Sequence, residues 1–492
     1  MNYDYDVIVI GGGAAGLTSA GMSASFGAKT ALIEAKKLGG DCTWYGCVPS
    51  KALLKAAKVA HTFRTSEKYG IKNFEPEIDI KEILNTVHKI QHEIYNDADH
   101  PDIYKNMGVD VLEGRAEFIN QHSIKLLSAD GSNKEISSKY IFISTGSSPN
   151  VPPINGINDI KYLTNENIFS IDKLPQKLTV VGGGPIGLEM AQAFSRLGSE
   201  VTVVDSSNRI LNNDDAELAE LMKNKLEKEG VIFKLGFSVD QFIKEDDKII
   251  TKISAGDNKI HLVSDEILLS VGRKPNIDKL NLDAAGINYD KRGIKINESC
   301  RTNIDNIFAV GDCAGSFQFT HYAEHMAKKA VSTALLKIPF KIEPDSIIWS
   351  TYTEPELAHV GLTPKQLEER NIKFRTYKFP FSKIDRALTE SSPEGLIKVY
   401  AKEFNGKIYG VDILGKEAGE MINEFALAIK NKISLRKIAD TIHAYPTYML
   451  GNRRAADQWY IQKQSRTFVN ILMKLFGYRG QLPDTSDPDR IV

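Results

Sequence analysis

One phrase occurs twice in this chain of 492 residues, and it restricts the possible folds more than any other feature. The first copy is Val7-Ile-Val-Ile-Gly-Gly-Gly-Ala-Ala-Gly16, and the apolar run Thr30 to Ile33 that follows it closes on Glu34. The second is Thr179-Val-Val-Gly-Gly-Gly-Pro-Ile-Gly187, and the run Val201 to Val204 closes on Asp205. The separation from first glycine to acid is 23 residues in both copies. Each copy reads as strand, glycine turn, helix and strand, which is a right-handed βαβ unit. Gly11 and Gly182 suit the tight turn, Gly13 and Gly184 let backbone approach a pyrophosphate, and Gly16 and Gly187 let the helix close on the strand. Unpaired N–H groups at the helix start favour phosphate, and an acid at the next strand end can accept from a ribose diol. A single glycine fingerprint is weak evidence. Two in register with strand, helix and acid point to two bound dinucleotides.

Length and composition fit that reading. A chain of this size exceeds one hydrophobic core, so about three domains are expected. A net charge of −1 gives no reason to expect nucleic acid or an anionic membrane as the main partner. Four cysteines, two close together and two scattered, are too few for a disulfide scaffold and suit redox or metal chemistry in a reducing compartment. The lead before the first strand carries Asp4 and Asp6 rather than basic charge, and no run approaches the ~18 apolar residues of a membrane span. The expectation is a cytoplasmic protein. Further along, Ile141-Phe-Ile-Ser-Thr-Gly146 reads as a strand running into Thr145 and Gly146, with Pro149, Pro152 and Pro153 as a crossing between domains. Ile304 to Asp312 reads as another buried strand ending in Gly311 and Asp312. From about Asp345, strands at Ile347–Tyr352, Leu396–Ala401 and Ile408–Ile413 and a helix over Ala418–Lys430 predict a separate α+β domain.

The chemistry is expected in Gly39-Gly-Asp-Cys-Thr-Trp-Tyr-Gly-Cys-Val-Pro-Ser-Lys51. The spacing of Cys42 and Cys47 does not suit zinc, and no resident metal site is expected. On one regular helix the two would face apart, so Gly46 is expected to let the loop distort. Pro49 fits the first turn of a helix through Lys51, placing Cys47 at its N-terminus, where the dipole favours thiolate. Cys42 lies further out, placed to attack an acceptor. Cys300 and Cys313 read as core.

These residues resemble the flavoprotein disulfide reductases, a family that includes dihydrolipoamide dehydrogenase, glutathione reductase and mercuric reductase. The resemblance runs from Tyr5 to about Gln458. It implies α/β architecture: two Rossmann-like domains for FAD and NAD(P), then a C-terminal α+β domain that forms a homodimer. The implied boundaries are 1–150 and 272–344 for FAD, 151–271 for the nicotinamide nucleotide, 345–458 for the interface, and 459–492 for a helical extension and irregular tail. Gly11, Gly13, Ala14, Ala15, Gly16, Glu34, Gly40, Asp41, Thr145, Gly146, Gly311 and Asp312 would line the FAD site. Cys47 would be the thiol against the flavin and Cys42 the interchange thiol. Lys51 and Glu189 would form an ion pair where hydride arrives. Gly182, Gly184, Pro185, Ile186, Gly187, Asp205 and Gly272 would take the nicotinamide nucleotide. Asp205 favours NADH over NADPH, because an acid there repels a 2′-phosphate.

The match breaks at the C-terminal end. Thiol-exchanging members carry His-Pro-Thr-x-x-Glu, whereas this chain reads His443-Ala-Tyr-Pro-Thr-Tyr-Met-Leu450. Tyr445 and Leu450 replace the histidine and the acid, and tyrosine, with a pKa near ~10, is a poor base at neutral pH. His443 is the other candidate shuttle. Mercuric reductase also has tyrosine there, but this chain lacks that enzyme's C-terminal cysteine pair and its N-terminal cysteine domain. The expected function is therefore an NADH-dependent, mercuric-reductase-like flavoprotein reductase acting on a metal ion, a small disulfide or a quinone-like acceptor. The alternatives are a dihydrolipoamide dehydrogenase, or an electron-delivering or redox-sensing subunit. An amphipathic helix at Trp459–Tyr478 is expected to lie on its own domain or on the dimer partner; in the subunit alternative it would dock on a partner protein or a membrane.

Overall fold

The computed structural model describes residues 2–128, 131–315, 317–463 and 466–481. Its residues group into two compact units, Met1–His61 with Glu75–Ser206 and Ile232–Glu343, and Thr62–Phe74 with Ser207–Val231 and Pro344–Val492.

The first unit holds both βαβ repeats. The strand Tyr5–Ile10 pairs in parallel with Thr30–Glu34 on one side and Asn133–Ile143 on the other. Val109–Glu113 extends the sheet beyond Thr30–Glu34, and Ile307–Ala309 pairs in parallel with Asn133–Ile143. Val7, Ile8, Val9, Ala31 and Leu32 are wholly buried, as strands covered on both faces require. The predicted strand over Ile304–Asp312 is shorter than expected. The strand spans Ile307–Ala309; Val310 N still donates to the Ile143 carbonyl at 2.9 Å, and the chain then leaves the sheet at Gly311 for a tight turn over Asp312–Ala314. The second repeat forms its own four-stranded parallel sheet in the order Ile232–Leu235, Glu200–Asp205, Lys177–Val181, Glu266–Leu269. The proline-flanked segment Ser147–Pro149 pairs antiparallel with Arg273–Pro275.

The second unit is built on a five-stranded antiparallel sheet. Its order is Ile348–Thr351, Glu356–Gly361, Ile408–Gly415, Leu396–Ala401, Arg375–Pro380. The helix Ala418–Lys430 packs its buried Met421, Ile422 and Phe425 on this sheet. A chain of polar groups crosses it. His359, wholly buried, pairs through Nδ1 with Asp412 at 2.6 Å and through Nε2 with the Gly361 carbonyl at 2.9 Å. Tyr400 donates to the other Asp412 oxygen at 2.5 Å and reaches Asp215 at 3.3 Å. Lys398 Nζ donates to Asp215 at 2.6 Å and to Glu217 at 3.1 Å. Trp349 stacks on His359 and donates to Asp214 at 2.7 Å.

The predicted helix over Trp459–Tyr478 divides differently. One helix runs Leu450–Lys463 and a second Arg466–Phe476, with 464 and 465 outside the described residues. Residues 482–492 also lie outside them, so most of the predicted irregular tail from Gly480 on is not described.

Candidate active site

The two glycine turns have the same local construction. Gly11 and Gly182 have φ of +102° and +113°, a region that favours glycine. A methyl group on Gly16 would lie 1.8 Å from the Gly11 carbonyl oxygen, and one on Gly187 would lie 2.1 Å from that of Gly182. Only glycine lets each helix close so far onto its turn. The helices Ala14–Ser25 and Pro185–Leu197 start without a side-chain cap, which leaves first-turn N–H groups for an anion. Glu34 accepts from Gly12 N at 2.6 Å and Asp205 from Gly183 N at 2.6 Å, so each acid is fixed at the mouth of its turn. A bare glycine turn, an uncapped helix and a carboxylate beside them are the donor set a dinucleotide requires. The residues present fit both cofactors.

The cysteine segment leaves the first turn by way of Gly39 and Gly40, both at positive φ. A methyl on Gly40 would meet Gly13 Cα at 2.6 Å, so the two backbones touch. Cys42 lies in the short helix Gly40–Trp44 and Cys47 opens the helix Cys47–Arg64. Gln91 donates to the carbonyls of Thr43 and Trp44, at 3.0 and 2.8 Å, and Thr43 donates to Asp99 at 2.6 Å, which anchors the short helix. Gly46 works otherwise than expected. It is not among the left-handed residues; a methyl there would meet the Asp41 carboxylate at 2.9 Å and the Asp41 carbonyl oxygen at 3.0 Å, so glycine serves a close approach.

The two thiols are polarised in opposite directions. Cys42 hydrogen-bonds to the Cys47 sulfur, and this bond first, then burial, pushes its own pKa up. The same bond holds Cys47 down at about 6; Thr320 and Lys51 assist, and burial opposes them. Thr320 Oγ1 lies 3.4 Å from Cys47 Sγ. Near neutral pH the pair therefore exists as a Cys47 thiolate with a protonated Cys42 beside it. Lys51 pairs with the nearly buried Glu189 at 2.8 Å, joining the cysteine helix to the second βαβ helix.

Asp312 accepts from Ser147 at 2.6 Å, and burial raises its pKa. Thr145 bonds the Asn276 carbonyl at 2.7 Å, while Gly146 and Gly272 both take positive φ. The sequence offered no signal for Arg273. Its guanidinium lies 3.0 Å from Asp41, donates to Ser147 Oγ at 2.7 Å, and stands 3.9 Å from Asp312. It ties the cysteine loop to the aspartate that the sequence assigned to FAD. Asn165, also unforeseen, donates to Asp41 at 3.0 Å. Cys300 and Cys313 are wholly buried, as expected of core residues.

Tyr445 and His443 belong to the second unit. Tyr445 is 68% exposed and its hydroxyl donates to Asp385 at 3.0 Å. His443 faces acceptors at both ring nitrogens: the Thr441 carbonyl at 3.0 Å and Glu424 at 2.8 Å. Asn452 holds the other Glu424 oxygen at 2.9 Å. Among the described residues, no group of three or more histidine, cysteine or acidic side chains could hold a metal ion, and no helix is long and apolar enough to cross a membrane.

Comparison with known proteins agrees with this geometry. Mercuric reductase of Lysinibacillus sphaericus is 31% identical over 454 residues, covering 92% of this chain and 82% of that protein. The mitochondrial dihydrolipoyl dehydrogenase of Pisum sativum is 34% identical over 460 residues, covering 92% and 91%. Among solved structures, the Cu(II) complex of the HOCl-induced flavoprotein disulfide reductase RclA from Escherichia coli superposes with a TM-score of 0.82. Its identity is 27%, over 93% of this chain and 99% of that one. Family matches cover residues 5–327 and, for the dimerisation domain, 347–453. This chain belongs to the pyridine nucleotide-disulphide oxidoreductases, flavoenzymes that use FAD and NAD(P)H.

Proposed function

We propose that this enzyme takes electrons from NADH and delivers them through Cys47 and Cys42 to a metal ion, with copper(II) the first acceptor to test. The observation behind this reading is the contrast between a polarised thiol pair and the groups that could have served thiol exchange. Reducing a disulfide substrate needs a base at the interchange thiol and an acid for the leaving thiolate. At the position where exchanging relatives use histidine stands Tyr445, bonded to Asp385, and His443 has no ring nitrogen free of a hydrogen-bond acceptor. A metal ion needs no such acid, since no thiolate has to leave. The solved copper(II) complex of a similar reductase supports the same class of acceptor.

FAD, when bound, carries the two electrons of a nicotinamide hydride to the cysteine pair. The chain's own residues do the rest. Gly11, Gly13, Gly16, Glu34 and Asp312 would hold FAD, and Gly182, Gly184, Gly187 and Asp205 the nicotinamide nucleotide. Asp205, with no positive charge beside it at Ser206, Ser207 or Asn208, favours NADH. The Lys51–Glu189 pair orients the region where hydride arrives and places a positive charge that favours the Cys47 thiolate. The reduced pair then gives one electron to each of two copper(II) ions. A Cys42–Cys47 disulfide forms from the Cys47 thiolate and the Cys42 thiol, two copper(I) ions leave, and Cys42 releases one proton.

Anaerobic titration with NADH, with and without copper(II) and a copper(I)-specific chelator, tests this. The wild type is expected to develop a long-wavelength thiolate–flavin absorbance at two electrons and then to yield copper(I). Cys47→Ser is expected to lose that absorbance and to reduce copper(II) at least about a thousandfold more slowly. Equal copper reduction in that variant, or efficient turnover of dihydrolipoamide by the wild type, would reject the proposal.

A further inference from the structure

The helix Arg466–Phe476 lies beyond the family match, which ends at residue 453, and the chemistry proposed for the cysteines makes no use of it. At 11 residues it is about 16 Å long. Its sequence divides cleanly around the helix axis. Phe468, Ile471, Leu472, Leu475 and Phe476 fall on one side, while Thr467, Asn470 and Lys474 fall on the other. The apolar side is not hidden: Phe468 and Ile471 are each 57% exposed and Leu475 is 70% exposed. Tyr478, just past the helix, is 64% exposed and stacks on Phe476.

Charge separates this segment from the rest of the chain. The whole chain carries a net −1, yet residues 458–483 contain Lys463, Arg466, Lys474 and Arg479 and no aspartate or glutamate. Acids return only at Asp484. We infer that this helix is a membrane-surface anchor whose partner is an anionic lipid headgroup layer. Its aromatic and aliphatic side chains would enter the acyl boundary while Lys474 and Arg479 stay among the phosphates. The helix is too short to span a bilayer, so it lies in the interface plane. A second copy of this chain is the competing occupant. It would bury the same apolar side chains but gains nothing from the like charges of Lys474 and Arg479, which repel across an isologous contact.

The full-length, FAD-loaded protein is floated with vesicles of phosphatidylcholine alone, or of phosphatidylcholine with about a third phosphatidylglycerol. Flotation on the anionic vesicles is expected to exceed that on neutral ones at least about tenfold at low salt, and to fall with added salt. Ile471→Glu with Leu475→Glu is expected to abolish flotation, leaving both the mass in solution and flavin reduction by NADH unchanged. Lys474→Glu with Arg479→Glu, which leaves the apolar face intact, is expected to lower flotation on anionic vesicles several-fold. The inference fails if no flotation occurs or if both vesicle types bind equally. It also fails if the double glutamate variant halves the mass while still floating, which would assign the face to a second copy. Flavin reduction, read separately, reports on the redox reading alone.

Discussion

The two glycine turns are near copies in their backbones and opposites in their surroundings. The first is enclosed by its own chain: a methyl on Gly12 would strike Leu38 at 2.3 Å, and the Gly13 backbone touches that of Gly40. The second is open: a methyl on Gly184 would meet nothing within 4 Å, and Ile186 is exposed. Both have an acid accepting from the turn, an uncapped helix and the same close approach of helix to turn. Enclosure suits a cofactor that stays; openness suits one that must enter and leave in each cycle. On the proposed assignment, the duplication supplies the recognition chemistry twice, and the surroundings of each turn would separate a resident cofactor from a passing one.

Four substitutions probe the site, three of them that contrast directly. The largest effect is expected at Gly40, where alanine would adopt a left-handed φ of +58° and press on Gly13. Strain and overpacking of about 3 kcal/mol should lower FAD affinity roughly a hundredfold. The matching change, Gly184→Ala, sits at an ordinary extended φ of −83° and should leave flavin content intact while raising the KM for NADH about tenfold. Flavin stoichiometry and steady-state kinetics read the two, and equal flavin loss in both would break the comparison. Asp205→Ala should next cost roughly tenfold or more in kcat/KM for NADH and much less for NADPH, since a charge-assisted hydrogen bond to the ribose is lost. Thr320→Val should have the smallest effect. It removes a hydroxyl that stabilises the Cys47 thiolate, so the thiolate–flavin absorbance, present above about pH 6 in the wild type and lost below it, should require a higher pH. An unchanged midpoint would show that Cys42 and Lys51 suffice.

Much of this site was legible because its signals are local. A positive φ, a helix start and an acid at a strand end each depend on a few neighbouring residues, so both turns, the start of the Cys47 helix and the helix Ala418–Lys430 follow from the sequence. Arg273 and Thr320 were not legible. Each joins the site across more than 200 residues of chain, and neither carries a motif of its own. Gly46 shows a subtler gap: its glycine is expected, but the reason lies in the Asp41 carboxylate beside it, which only the folded chain supplies. At His443 the sequence raised a proton shuttle, and the folded chain shows the ring held between Thr441 and Glu424.

The polar chain that crosses the second unit's sheet acts as an acid-sensitive seam. It ties the segment Ser207–Val231 to the strands through Lys398, Asp215 and Tyr400, with charge where a protein interior ordinarily uses hydrocarbon. Burial works against ionising Asp215, but Lys398 outweighs it and holds the carboxyl below 3.8; Glu217 is likewise depressed. The stability these acids lend is full above their ordinary range and disappears as pH falls through the depressed values. His359 is held up by Asp412 against its burial, so its share is full below 6.5 and is lost as pH climbs past the raised value. Asp214, which burial pushes up to about 6, costs stability as it ionises. Because the Asp214 cost accrues from its ordinary 3.8 up to about 6, while Asp215 and Glu217 lose their share only below the ordinary carboxylate range, this seam is most stabilising just above that range. Thermal unfolding followed across pH should show a maximum there, and His359→Gln should flatten its alkaline slope.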